Sequence, residues 1–276
     1  MPIPLEDNYT DVLGKAMRGL RVGREELDGR AGLAVGSVAR LLAGELDEPA
    51  ARAVAPLLAL GADQLVALAR GAYAPDVAAP DGLLGFNTPY DDFHVNAYLV
   101  WDPASKQAVA FDTGSSSAGL REAAAARGLT IALVLVTHTH PDHVMDLPAL
   151  LDATGAPAHV SAAEPLPRAS AITPGATFQV GALAIEARKT TGHSVGGMTY
   201  VVRGLARPLA IVGDALFAGS MGGGMVSYAD ALANNRREVF SLPDDTVICP
   251  GHGPLTTVGL EKQHNPFYPE FREVTP

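Results

Sequence analysis

A single cysteine, Cys249, occurs in the 276 residues. That excludes an intrachain disulfide, and with it the small secreted scaffold held by bridges. Charge is also sparse, at 18% of residues, and carries no basic excess: the formal net charge is −10. Such a chain does not draw in polyanions through its overall field. Long apolar runs are missing too. A stretch such as Ile131 to Val136 is far too short to cross a bilayer. The start, Met1-Pro2-Ile3-Pro4-Leu5-Glu6-Asp7, has neither the basic residues nor the apolar run of a signal peptide. The expectation is a cytoplasmic protein with no membrane partner. What the chain does have is apolar residues, at 47%, enough for a sizeable core.

The order of elements divides the chain in two. Residues 8 to about 71 read as helical throughout. Val12, Leu13, Met17 and Leu20 recur at helical spacing. Helices follow at Arg24 to Gly32 and Gly36 to Ala43. A fourth opens at Pro49 and runs to Gly61, strained at Pro56. A fifth spans Gln64 to Arg70, capped by Asp63. Residues 72–82 carry two prolines and a glycine and read as a linker. Beyond them strands and helices mix. Strands are expected at Val95–Trp101, Ala108–Phe111, Ile131–Val136, Thr199–Val202, Leu209–Val212 and Thr246–Cys249. A hairpin is expected over Thr177–Arg188, turning at Gly181. Helices are expected at Ser117–Arg127, Leu147–Thr154 and Tyr228–Phe240. The expected domains are a small all-α unit at 1–71, a linker at 72–82 and a layered α/β unit at 83–276.

Chemistry concentrates in Thr137-His138-Thr139-His140-Pro141-Asp142-His143, directly after a buried strand. Side chains beyond the carboxyl ends of strands are where such sheets place function. Imidazole and carboxylate together suit zinc, iron or manganese. Two residues apart in extended chain, His138 and His140 share a face and can chelate one ion. Asp142 and His143 fall on the next turn and can serve a second. His193, Asp214 and His252 also sit in turns, each beside glycine, which lets backbone approach closely. Five histidines and two carboxylates suit two metals, one carboxylate bridging. His94, His159 and His264 match no metal spacing. Cys249 reads as a small core residue.

These residues resemble the metallo-β-lactamase fold superfamily over about residues 83 to 265. His138 to His143 matches its defining motif. Phe111-Asp112-Thr113-Gly114 is similar to its early strand-end turn, Gly192-His193-Ser194 to its third-histidine loop, and Gly213-Asp214-Ala215-Leu216-Phe217 to its bridging-aspartate segment. Pro250 to Thr257, Glu261-Lys262 and Asn265-Pro266-Phe267 resemble the glyoxalase II-like branch. The resemblance implies an αββα sandwich with the site at one sheet edge. It assigns His138, His140 and His193 to one ion, Asp142, His143 and His252 to a second, and Asp214 to both. It also implies two divalent ions, with zinc the leading expectation and iron or manganese the alternatives. The activity implied is hydrolysis of a small-molecule thioester or ester, including a lactone, by a metal-bridged hydroxide that Asp142 orients. Departures exist. Met145-Asp146 stand where the family often has two glycines, which predicts a reshaped pocket wall. Ala215 replaces a frequent Thr. Only 22 residues follow Pro254, too few for the helical domain that grips glutathione in true glyoxalase II enzymes.

Two alternatives fit the same residues. One is a persulfide dioxygenase-like oxidoreductase with a single iron on two histidines and an aspartate. The other is a DNA-binding regulator whose metallo domain senses a ligand. The helix pair Arg24–Gly32 and Gly36–Ala43 resembles a Xre-type helix-turn-helix. Residues 1–71 carry eight Lys and Arg against ten Asp and Glu, however. The second helix offers only Ser37 and Arg40 to base edges. A bundle that mediates homodimerisation or covers the active site is therefore preferred over DNA binding.

Overall fold

The computed structural model describes residues 3–272; the ends of both expected domains, 1–2 and 273–276, lie outside the described residues. Five helices come first: α1 (Tyr9–Leu20), α2 (Arg24–Arg30), α3 (Ser37–Leu42), α4 (Glu48–Val54) and α5 (Ala62–Ala69). Their starts follow local chemistry. Asn8 accepts from Thr10 N at 2.7 Å while Asp11 accepts from Asn8 N at 3.0 Å, a reciprocal cap for α1. The α2–α3 turn is closed from a distance. Buried Asp28 accepts from Gly36 N at 2.7 Å and Val38 N at 2.8 Å.

Three details differ from the sequence reading. Leu20 is 42% exposed, and Tyr9 and Ala16 fill the buried face of α1 instead. The fourth helix stops at Val54, and Pro56–Leu58 forms a separate 3₁₀ turn, because proline removes a donor and clashes with the preceding turn. Asp63 lies inside the first turn of α5, with Gly61 at the cap. Asp63 pairs with Arg52 and Arg272.

After an irregular stretch at 72–82, six strands form the first sheet in sequential order: β1 (Leu83–Tyr90), β2 (Phe93–Trp101), β3 (Gln107–Phe111), β4 (Thr130–Leu135), β5 (Ala158–Ser161) and β6 (Ala169–Ile172). The first three are antiparallel; β3 to β6 run parallel. Helices α6 (Ala118–Ala126), α7 (Pro141–Val144) and α8 (Leu147–Thr154) belong to the connections. The second sheet also has six strands: β7 (Thr177–Val180), β8 (Leu183–Lys189), β9 (Met198–Arg203), β10 (Leu209–Gly213), β11 (Val247–Pro250) and β12 (Thr256–Thr257). Helix α9 (Tyr228–Asn234) runs into a π-turn at Asn235–Val239, and α10 (Val258–His264) follows β12. The sequence reading has no counterpart for β1, β5, β6, β12 or α10, and it places the residues of α7 on a turn.

Two sheets face each other across an apolar layer that includes Phe111, Leu135, Tyr200, Ile211 and Cys249. Cys249 is fully buried, and burial pushes its thiol pKa upward, which suits a core residue. The outer face of the first sheet packs on Leu120 of α6 and Leu150 of α8. The outer face of the second sheet, through Val201, Ala210 and Ile248, joins one hydrophobic cluster with Leu13, Leu27, Leu41, Leu58 and Leu65 of the N-terminal helices. The helical region thus joins α9 and α10 in the outer helical layer of the second sheet. The architecture is the expected αββα sandwich preceded by helices. No helix among the described residues is long and apolar enough to cross a membrane.

The shared core yields a prediction. Leu13→Ala should cost about 2–5 kcal/mol and should lower the melting temperature of the whole chain. Calorimetry is expected to show one transition that moves as a unit. A low-temperature transition confined to the helices, with the sheets unmoved, would contradict the shared core.

Candidate metal centre

Five strands deliver the site. His138 to His143 follow β4, His193 follows β8, Asp214 follows β10, His252 follows β11, and Asp112 follows β3. Pairings β8–β9 and β9–β10 are antiparallel and β10–β11 is parallel. The carboxyl ends of β8, β10 and β11 therefore open on one edge. The two sheets brace each other there. From the first, Tyr98 donates to Pro250 O at 2.7 Å, and Asn96 Nδ2 donates to Gly253 O at 2.8 Å. From the second, Tyr200 donates to Val136 O at 2.8 Å.

All seven expected residues meet. His138, His140, His193 and Asp214 form one group of converging donor atoms, and Asp142, His143 and His252 another. In the first, His193 Nε2 lies 3.1 Å from His140 Nδ1 and 3.3 Å from Asp214 Oδ2, and His138 Nε2 is 3.9 Å from the same oxygen. In the second, Asp142 Oδ2 is 3.5 Å from His143 Nε2 and 3.4 Å from His252 Nε2. Asp214 also reaches this group, with Oδ1 3.3 Å from His143 Nε2 and Oδ2 3.4 Å from His252 Nε2. Donors bound at about 2.0–2.2 Å to one ion stand roughly 3–3.5 Å apart, so these spacings fit an ion in each group.

A stronger sign is what the buried atoms lack. Among the described residues, His138 Nε2, His143 Nε2 and Asp214 Oδ1 have no hydrogen-bond partner. Three orphaned polar atoms gathered around Asp214, one or more in each group, would be costly without an occupant. Meanwhile the opposite ring nitrogens are held. His143 Nδ1 lies 2.8 Å from Asp112 Oδ2, His252 Nδ1 2.6 Å from His94 O, His193 Nδ1 3.0 Å from Gly223 O, and His138 Nδ1 3.1 Å from Thr137 Oγ1. Such contacts set the tautomer and aim the free nitrogen.

Asp112, absent from the expected set, is the chief of these supports. Besides His143 it accepts from Thr137 N at 2.7 Å and Thr137 Oγ1 at 2.8 Å. Its signal was in the strand-end turn Phe111-Asp112-Thr113-Gly114. Glycine is required next to the ligands. A Cβ on Gly251 would strike Asp214 Oδ1 and stand 2.7 Å from His143 Cε1. His94 contributes only its carbonyl, while His159 and His264 pack beside Phe178 and Tyr73. Met145 is 56% exposed and Asp146 accepts from Ser117 N at 2.7 Å. Neither lines the cavity over the ligands, so the expected reshaping of its wall is not there.

Electrostatics differ between the two groups. Burial lowers the pKa of His138 and of His193. Burial also opposes charge on His143, but Asp214 and Asp112 lift its pKa to about 10. His252 is likewise disfavoured by burial yet raised to about 11 by Asp214 and Asp142. Burial would raise the Asp214 pKa, but His252 and His143 hold it well below the usual carboxylate range. The carboxylates thus draw positive charge into the second group, a demand that a cation meets.

Above these residues lies a cavity of about 350 Å³. His140, Asp142, His193, Asp214 and His252 line it together with Phe93 and Phe217. Glu6 and Lys15, from the N-terminal segment and α1, form part of the wall. The helical region therefore contributes directly to the site.

The Lactamase_B family model, described as the metallo-beta-lactamase superfamily, matches residues 90–252. That span is well over half of the chain and runs through every residue of the two groups.

The chain belongs to the metallo-beta-lactamase superfamily.

Within it, the chain is 29% identical over 184 residues to a hydroxyacylglutathione hydrolase of Pseudomonas entomophila, covering 64% of this chain and 71% of the relative. Among solved structures it is similar to ETHE1 from Myxococcus xanthus, at 25% identity and a TM-score of 0.59, over 70% of this chain and 92% of that one. It is also similar to TTHA1623 in a di-iron-bound form, at 27% identity and a TM-score of 0.55, over 66% and 99% of the two chains.

Two predictions follow from this geometry. Asp112→Ala should weaken metal binding by roughly 10–100-fold, read by competition with a chelating dye. Unchanged affinity would remove Asp112 from the support of His143. The second concerns pH. His143 and His252 carry protons at neutral pH when no ion is bound, since their pKa values are raised; ligation requires them neutral. One ion should therefore bind with proton release and with affinity that keeps rising with pH up to about 10, the raised pKa of His143. The ion on His138 and His193, whose pKa values are lowered, should show little pH dependence. Calorimetry in buffers of different ionisation heat measures both; two pH-independent events would contradict the assignment.

Proposed function

We propose that the chain is a two-metal hydrolase that cleaves a thioester or ester bond, including that of a lactone, in the cavity over Asp214. The observation that carries this is the pair of complete donor groups sharing one buried carboxylate, with orphaned atoms facing both. His138, His140 and His193 would hold one ion, Asp142, His143 and His252 the other, and Asp214 both. Two divalent ions there would supply a deprotonated water nucleophile near neutral pH and polarise the scissile carbonyl. The chain's own residues do the rest. Asp142 lines the cavity. Burial raises its pKa, but His252 and His143 outweigh this and lower it, so it stays an acceptor that orients the attacking water. Phe93 and Phe217, which line the cavity, would shield the reacting atoms from bulk solvent. Asp214, with an oxygen toward each group, fixes their spacing.

The hydroxyacylglutathione hydrolase relative supports a thioester among the substrates. A single-iron, persulfide dioxygenase-like oxidoreductase is the rival within enzymes. It would leave the donors of one group unused, and the completeness of both groups favours the hydrolase. Iron itself stays in play as the ion, given the similarity to a di-iron-bound structure. DNA binding is the weaker reading of α2 and α3. Ser37 is 7% exposed and its hydroxyl accepts from Arg40 Nη2 at 3.1 Å, so the two side chains expected to read bases are engaged with each other.

The test is elemental analysis together with turnover of a lactoylglutathione thioester. About two divalent ions per chain are expected, with hydrolysis that chelation stops and metal restores. His140→Ala should lose activity while retaining its circular dichroism spectrum. About one iron, oxygen uptake and no thioester turnover would replace this reading with the dioxygenase one. Full activity in a metal-free sample would end both.

A further inference from the structure

Lys15 borders two hollows. One is the metal cavity. The other is a groove of about 750 Å³ on the helical region, where Lys15 stands with Arg18, Arg21 and Arg24. The groove is locally basic in a chain of net charge −10. Ion pairs in the same region engage Arg30, Arg52 and Arg70. Among the described residues, Arg18, Arg21 and Arg24 have no such partner. The carboxylate in the groove, Asp11, is spent on the α1 cap, accepting from Asn8 N. Three guanidinium groups are thus presented with their donors free. That is the arrangement that takes phosphate oxygens.

Lys15 is the residue that lines both hollows and so marks the neck between them. Its ammonium donates to Met221 O at 2.8 Å and pairs with buried Asp7, which also accepts from Ser220 at 2.5 Å. Two of its three protons are used, and the third is free for a ligand. Its Nζ lies 5.1 Å from the centroid of Phe217, whose ring is 5.6 Å from that of His252. One aromatic ring therefore separates the ammonium from a ligand of the metal centre. Along α1, Lys15 to Arg21 spans about 9 Å at 1.5 Å per residue. An arm leaving the cavity past Lys15 would meet Arg18 within one turn and Arg21 within two. Glu6 and Asp92 stand in the metal cavity itself, so negative groups belong beyond the neck.

We infer that the N-terminal helices bind the anionic arm of the substrate: a thioester or ester whose leaving group carries phosphates, with Lys15 at the neck and Arg18, Arg21 and Arg24 along the groove. This rests on the hydrolase reading of the metal centre. The helices then determine which substrate is cleaved, while the sandwich cleaves it. The four cations contact the substrate's arm and take no part in bond breaking.

The experiment compares acetyl-coenzyme A with the acetyl thioester of N-acetylcysteamine, which has the same reacting atoms and no phosphate. With the metal-loaded protein, kcat/KM is expected to be at least about tenfold higher for the charged thioester at low salt. That advantage should fall as salt screens the arginines. The triple variant R18Q/R21Q/R24Q should lose the advantage through KM and keep the neutral thioester within about twofold. Lys15→Met should act in the same direction, and the exposed arginines supply the test if that variant folds poorly. Calorimetry of coenzyme A alone, with wild type and the triple variant, reads the groove without turnover. Equal affinity in the two, or equal kcat/KM for the two thioesters, would overturn the inference. Binding that the triple variant loses, with neither thioester cleaved, would keep the groove and overturn the hydrolase reading instead.

Discussion

Asp214 is a carboxylate sunk into protein with one oxygen that no hydrogen bond satisfies. Burying a charge in this way is costly unless an opposite charge is close. Of the four imidazoles within 4 Å, His143 and His252, with their raised pKa values, answer that need in part, and cations would answer it in full. The rest of the molecule can be understood as the frame this group requires. Gly213 and Gly251 let the chain pass beside it, Asp112 and Thr137 hold the imidazoles that face it, and two sheets clamp the loops that carry them.

The clamp is reciprocal, and that explains why a sandwich suits such a site. The first sheet supplies His138 to His143, yet its Tyr98 and Asn96 hold the loop of His252. The second sheet supplies His193, Asp214 and His252, yet its Tyr200 holds the strand end that leads to His138. Neither sheet completes its own half alone. Displacement of one relative to the other would misplace donors in both groups. Rigid strand ends aim the ligands, and the cavity above is left to loops and to the N-terminal helices.

Those helices share a core with the second sheet and put Glu6 and Lys15 into the cavity wall. The same element therefore serves stability and access. Leu13 and Met17 of α1 face the core, while Lys15 and Arg18 of the same helix face the hollows. A helix with a period of 3.6 residues can do both, because its apolar and cationic positions fall on different faces.

The candidate metal-binding residues were legible in the sequence because their signal is local. Three histidines and an aspartate in six residues after a β-branched run leave few other readings, and glycine beside His193, Asp214 and His252 marks close backbone approach. Strands with alternating or continuous apolar character, such as β2, β4 and β10, were legible for the same reason. Others were not. β1 (Leu83–Tyr90) contains glycine and proline, and β5 and β6 are four residues each; they are strands through their neighbours' hydrogen bonds rather than through their own propensity. Only the tertiary structure revealed Asp112 behind His143, the carbonyl of His94 behind His252, and Lys15 at the cavity, since each partnership joins residues 31, 158 or about 200 positions apart. Sequence alone determined which side chains can bind a metal, because donor chemistry belongs to the residue. Which of them converge, and what stands over them, was decided by packing, because distance in space is set by the sheets and not by the order of the chain.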